Sequence, residues 1–567
     1  MNECELLSEL VHPPIDMDVL RSNEYPSEAE IAQMKAVLEA EEHQMEQYDR
    51  EISHLLQSLS VMQEERKDLE RRIRDRRSWF SPVRKLPVEI LTEIMALALL
   101  SEGGYSLDIH YEDQTQAAPL HLSHVSSHWR TIVTGTPYLW SSLSVDVFQA
   151  KSHHHSLIEL FIERSNGRPL KLKITDSCGE PPSEDDPSFA ITYLGQTGFN
   201  LLWLLMQQLP RCEELRMDTY GDSLIASLDV QFDTTTITFP VLSSFQDQSY
   251  TSTLSPRACW YWESIRRAPN LTHVEVSGYS AEVPYPYSQL KSLIVGMAHD
   301  YPSLFRNLSS ASVDLEELRL EDYMYPDEDP APASLHSLQR LAVTTGFHPD
   351  RTNSLFDALT VPSLSCIEFR SHSGYNFHTW QWNPSSFNLL LERSSCTLST
   401  LSLHHPAVCV SATSLLDIFR TSPNASHIEL DYVSYSGHHS SAIAEICNKL
   451  TSDTTLTPHL QELLVHERIS LPPNCDAPES VIAMLESRTQ SASSQLRPLV
   501  DVRVFFCDLH DCYLSDHLLR VPAVQPRLSE DLSNRLQRLK DNGMECIITI
   551  DILEDEDDEG SIIIYRH

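Results

Sequence analysis

LTHVEV (271–276), LKSLIV (290–295), LEELRL (315–320) and LQRLAV (338–343) are four copies of one six-residue theme. An apolar residue is followed by two others, an apolar residue, one other and an apolar residue. The theme continues as LSCIEF (364–369), LSTLSL (398–403), ASHIEL (425–430) and LQELLV (460–465), with weaker copies at CEELRM (212–217) and LSSFQD (242–247). Starts from Cys212 to Leu460 lie 19 to 35 residues apart. The last four positions alternate, which suits a short strand with one face buried. The first apolar residue, three back, turns in from the preceding bend. One unit has too little core to stand alone, so neighbours must stack, and such a period predicts an elongated repeat array with a parallel sheet. A β-sandwich or a propeller is the alternative. The array is expected over 148–553, closed by an acidic turn and a terminal strand in 554–567. CIITIDI (546–552) and SIIIYR (561–566) would there form a hairpin over the open sheet edge.

Upstream the pattern changes. Residues 1–27 are polar and proline-bearing without a period, and are expected to be disordered. Residues 28–79 then carry apolar residues in steps of three and four, at Ile31, Met34, Leu38, Met45, Tyr48, Ile52, Leu55, Leu59, Met62, Leu69 and Ile73. Only Glu41 and Arg66 interrupt the seam. That regularity predicts a coiled coil, and a long helix laid on the protein's own surface is the alternative. Ser27 and Glu30 supply a capping box. A parallel homodimer would set Glu41 against Glu41 and Arg66 against Arg66. Antiparallel pairing through 31–76, with opposed residue numbers summing to 107, sets Met34 against Ile73, Leu38 against Leu69 and Glu41 against Arg66; a hetero-partner is the alternative.

Between the two regions, LPVEILTEIM (86–95) puts Leu86, Ile90, Leu91, Ile94 and Met95 on one helical face, with Pro87 in the first turn. After an interruption from Leu100 to Ala118, which reads as a surface loop, comes PLHLSHVSSHWRTIVTGTPYLWSSL (119–143). Leu122, Val125, Trp129 and Val133 keep helical spacing there, and Tyr138, Leu139 and Trp140 follow a turn. These short helices hold more apolar surface than so small a unit can bury, which suits docking to a partner. The combination LPxEIL, VxxxWR and TPxLW resembles the F-box family, especially the large set found in fungi. Read so, 80–147 is a small all-α F-box. The resemblance implies binding to a Skp-type adaptor within a cullin complex that recruits a target protein for ubiquitin transfer. It assigns adaptor contact to Leu86, Pro87, Ile90, Leu91, Ile94, Val125, Trp129, Leu139 and Trp140. The repeats resemble leucine-rich repeats, with the departure that none of these copies has the usual Asn after the strand and only LVDVRVFFC, ending at Cys507, offers an accepted residue. The fold class expected is thus α/β: coiled-coil helix, F-box, irregular repeat array.

Composition agrees. A net charge of −39 over 567 residues argues against a nucleic-acid partner. No apolar run reaches the roughly 18 residues needed to span a bilayer, so no membrane is expected and the compartment is cytoplasmic or nuclear. Twelve scattered cysteines without a CxxC pair read as small buried hydrophobes. No nucleophile elbow, phosphate loop or zinc-protease motif occurs. His121, His124 and His128, and the run His153, His154 and His155, read as solvated faces without a metal. No enzyme, cofactor or metal is called for. Aromatic segments at 283–290 and 322–330, with Trp260, Trp262, Trp380 and Trp382, are the candidate target contacts. The rival expectation is an assembly protein led by its coil, with a degenerate or ligase-independent F-box.

Overall fold

The computed structural model describes residue 21 and residues 25–551, apart from 102–103, 111–114, 149, 177–188, 220–223, 226–227, 229–236, 249–258, 282, 299–300, 311–313, 324–329, 346–349, 372–379, 382–383, 410–411, 434–440, 454, 469–476, 491–498, 508–528 and 542–543. It divides into two units, Met1–Leu91 and Thr92–His567. The expected terminal hairpin partner at 561–566 and the polar segment 1–20 lie outside the described residues.

The first unit is dominated by helix α1, Glu28–Ser78. Its start is fixed by the capping box: the Ser27 hydroxyl accepts the Glu30 N–H at 3.4 Å, and the Glu30 carboxylate accepts the Ser27 N–H at 2.8 Å. Arg76 and Arg77 in the last turn complement the negative end of the helix dipole. Pro82 then opens a short 3-10 turn, Pro82–Lys85, and the chain enters α2, Val88–Ser101. No residue of α1 is buried.

The second unit is built on one sheet of 17 strands, counting the two-residue segment Trp380–Gln381. The first strands are β1 (Leu107–Ile109), β2 (Thr115–Ala117), β3 (Ser142–Asp146), β4 (Leu170–Thr175), β5 (Cys212–Asp218) and β6 (Ser244–Asp247). Next come β7 (His273–Tyr279), β8 (Ser292–Ala298), β9 (Glu317–Tyr323), β10 (Arg340–Thr345) and β11 (Cys366–Ser371). The last are β12 (Thr400–Cys409), β13 (His427–Val433), β14 (Glu462–Arg468), β15 (Asp501–Cys507) and β16 (Glu545–Asp551). From β3 to β16 each strand pairs in parallel with its predecessor in the chain. All ten copies of the theme fall on β5 to β14. The strand begins two residues after the first apolar position, except at Cys212, where it begins at once.

Registry explains the spacing of the theme. Its fourth position forms an unbroken ladder that runs from Leu107 through Leu143, Leu172 and Leu215 to Val502 and Cys546. Phe245, Val274, Leu318 and Leu401 are among its intermediate rungs, and every rung is at most 2% exposed. The first position is buried as deeply, at Leu271, Leu290, Leu338 and Leu460 among others. Alternate residues such as Lys173, Arg216, Glu275, Arg319 and Glu429 are half-exposed, because successive side chains point to opposite faces. Helices fill most of the crossovers. In the C-terminal half α9 (Asp350–Ala358), α10 (Pro384–Ser394), α11 (Ala412–Thr421), α12 (Ala442–Ser452), α13 (Ala477–Gln490) and α14 (Glu530–Asp541) pack each on the next. The earlier helices are α3 (Ala118–Val125), α4 (Ser127–Thr134), α5 (Ser152–Arg164), α6 (Phe189–Met206), α7 (Cys259–Arg266) and α8 (Tyr301–Ser310).

Two expectations need correcting. The interruption between Leu100 and Ala118 is not merely a surface loop: it supplies β1 and β2, an antiparallel pair whose β1 lies parallel to β3. Leu107 and Ile109 are 0% and 1% exposed, two alternating apolar residues that extend the ladder by one rung. For the same reason residues 80–147 are not all-α, since β1, β2 and β3 fall within them. Among the described residues no helix is long and apolar enough to cross a membrane.

Candidate functional site

The segment 82–143 is positioned by local caps that its motifs spell out. Pro87 stands just before α2, and its carbonyl accepts the Leu91 N–H at 3.0 Å. Within VSSHWR, Ser126 breaks α3 from α4 with extended backbone, and its hydroxyl accepts the Trp129 N–H at 3.1 Å. Within GTPYLW, the Thr136 hydroxyl donates to the Ile132 carbonyl at 2.7 Å, and the Trp140 indole N–H donates to the Val133 carbonyl at 2.8 Å. Both bonds fold the 3-10 turn Pro137–Trp140 back on the end of α4. Trp140 then meets Phe161 of α5 edge-on, ring centres 4.9 Å apart.

These contacts divide the motif residues into three groups. Leu91, Leu139 and Trp140 are buried at 1%, 0% and 2% exposure, so in this conformation they are core residues that support the surface. Leu86 and Trp129 are half-buried. Pro87, Ile90, Ile94 and Val125 are exposed. Helix α2 therefore does not bear the single apolar face that its spacing suggested. Leu91, Met95 and Leu99 form a buried stripe, while Ile90, Ile94 and Leu97, at steps of four and three, form a second stripe that is 45% to 63% exposed. Leu97 extends that stripe beyond the sequence motif, and its spacing from Ile90 is the signal that would have found it. Tyr138, 37% exposed, borders the region. Partial burial raises its phenol pKa, and the Glu93 carboxylate of α2 adds to the effect. Trp79 and Phe80, 78% and 84% exposed, form a further aromatic pair that the periodicity did not single out.

The seam of α1 is open along its length: Met34, Leu38, Met45, Tyr48, Ile52, Leu55, Leu59, Met62, Leu69 and Ile73 are 40% to 61% exposed, and Glu41 and Arg66 are exposed with them. Ile31 is half-exposed.

The histidines are placed differently from each other. His121, His124 and His128 are solvated. His154, however, is 3% exposed and accepts the Lys151 N–H through Nδ1 at 3.2 Å, so it closes the start of α5 rather than facing solvent. Among the described residues no group of His, Cys, Asp or Glu could hold a metal ion. The aromatic segment at 283–290 is core for the most part. Val283 and Tyr285 are 6% exposed, and Tyr285 packs with Trp262 and Tyr279. Trp260 is half-buried, while Trp382 and most of 322–330 lie outside the described residues. No family model matches the chain, and no curated protein matches it.

Proposed function

We propose that this chain is the substrate-recruiting F-box subunit of a Skp–cullin–F-box ubiquitin ligase. Segment 82–143 takes the Skp-type adaptor, and a leucine-rich-repeat-like solenoid built on β3 to β16 presents the target. The observation that carries the reading is the second apolar stripe of α2. A helix that buries one stripe and exposes Ile90, Ile94 and Leu97 on another has spare capacity for an apolar partner. Motif residues with solvent-exposed side chains, Pro87, Ile90, Ile94 and Val125, fit direct contact. Leu139 and Trp140 fit the role of fixing the frame beneath them. Sequential parallel strands with an in-register apolar ladder support the repeat reading, and the half-exposed polar face of the sheet offers a long surface to a target.

The test is co-purification of a Skp-type adaptor with the full chain. Ile94→Glu with Leu97→Glu should reduce recovery at least tenfold, since apolar anchors are worth about 2 kcal/mol or more each when truncated. Thermal unfolding should stay unchanged, because both side chains are exposed. The Leu86, Pro87 and Trp129 to Ala triple should fail likewise. Adaptor recovery at wild-type yield from both variants, or none from the wild type, would overturn the reading. In the second case the open α1 seam favours the assembly protein with a ligase-independent F-box.

A further inference from the structure

We infer that α1 is an antiparallel homodimerisation element, its occupant being the α1 of a second copy in the register where opposed residue numbers sum to 107. The observations are independent of the adaptor reading. None of the 51 residues of this helix is buried, whereas most helices in proteins gain their stability by packing an apolar face. A stable solitary helix of that length would be polar all round, whereas this one exposes a continuous apolar seam. Such a seam is satisfied by another seam of the same period.

Charge selects the orientation and the register. The acidic residues concentrate in 28–53, eight against two basic, and the basic ones in 54–77, seven against five acidic. Antiparallel pairing lays each acidic half along a basic half, whereas parallel pairing lays like on like. Glu41 and Arg66 decide the register. At a sum of 107 they face each other twice, by the two-fold axis that passes between residues 53 and 54. Every other layer from Met34–Ile73 to Ile52–Leu55 is then apolar on both sides. A slip of one heptad to a sum of 100 sets Arg66 on Met34 and Glu41 on Leu59. A slip to 114 sets Glu41 on Ile73 and Arg66 on Tyr48. Both slips bury charges against apolar or uncharged partners, which is strongly unfavourable. A polar pair that fixes register in an otherwise apolar seam is a known device of coiled coils. The interface is isologous, the same patch on both copies.

The test uses the full chain. Sedimentation velocity should show a reversible dimer at micromolar concentration. Glu41→Arg and Arg66→Glu, each alone, should raise its Kd about tenfold or more, because each opposes like charges in the seam, and the double variant should restore it. A photo-crosslinker introduced as Met34→benzoylphenylalanine should mark the partner's peptide that carries Ile73. Capture of the peptide around residue 34 would mean a parallel coil. Capture near residue 66 or beyond residue 79 would mean a slipped register. A monomer at all concentrations, or a charge-swapped double variant no better than the singles, would equally overturn the inference.

Discussion

Arg488 shows what a single side chain does for the layer of crossover helices. It is 3% exposed, yet its guanidinium reaches from the end of α13 to the Leu456 and Thr457 carbonyls beyond α12, at 2.9 and 3.1 Å. Arg393 likewise joins the end of α10 to the Phe356 and Leu359 carbonyls that end α9. Arg211 reaches Ser165 Oγ at 2.9 Å and the Arg168 carbonyl beyond α5. Each side chain binds groups of the preceding crossover and so ties one crossover to the one before it. The planar fork is what allows two carbonyls to be met at once, and a lysine cannot reproduce it. Arg488→Lys is expected to lower the free energy of unfolding by about 1–3 kcal/mol, checked by urea titration. No sequence pattern singles these residues out, because the groups they serve belong to the preceding crossover. The cysteines were more legible. Cys212, Cys447 and Cys546 are buried, and desolvation raises all three thiols, Cys447 and Cys546 to about 12. Alkylation of the native protein should spare these three while it modifies Cys366 and Cys396, which are half-buried. Mass spectrometry of the digested product reads the order. Early modification of Cys447 would show that α12 opens locally.

Helix pairs and strand pairs carry the next level. Glu486 of α13 and Arg535 of α14 form a bidentate pair at 2.9 and 2.7 Å. The hydrogen bond from Arg535 holds the Glu486 carboxyl below its ordinary range. A lowered folded-state pKa gives a stability contribution that is complete above the unfolded carboxylate value of about 4.3. It is lost as pH falls through the lowered value. Glu486→Gln should therefore reduce the urea midpoint at neutral pH, and the difference from wild type should shrink in acid. The antiparallel pair β1–β2 is the other device at this scale. It lies on β3, where the sheet would otherwise present an unpaired parallel edge. Replacement of residues 103–116 by a short flexible linker should lower soluble yield and increase aggregation by light scattering, with Leu143 and Val145 then near an open edge. The strand character of LDI (107–109) was hidden by its length, three residues amid glycine and acidic neighbours. The longer copies of the theme were plain because position, period and burial all agreed. Helix α2 was half legible: its spacing gave the helix, but only packing could assign Leu91 and Met95 to one stripe and Ile90 and Ile94 to the other.

On the scale of the whole chain, α1 in the first unit buries no residue, whereas the sheet of the second unit carries a continuous apolar ladder. Removal of residues 1–79 keeps α2 intact and should leave the near-ultraviolet circular dichroism and unfolding midpoint of the remainder within experimental error. A shift of several degrees would show that α1 contributes to the stability of the larger unit. The order of strands β5 to β14 was readable because each carries the same six-residue theme, whereas β1 to β4 lie outside its copies. The strictly sequential pairing from β3 to β16 has one more consequence, for synthesis on the ribosome. Each new strand needs only the one just completed, a few tens of residues upstream, so loop closure stays short along the whole sheet. The growing chain can add strands in the order they emerge, and the edge at risk during translation is always the most recent strand, until the last is in place.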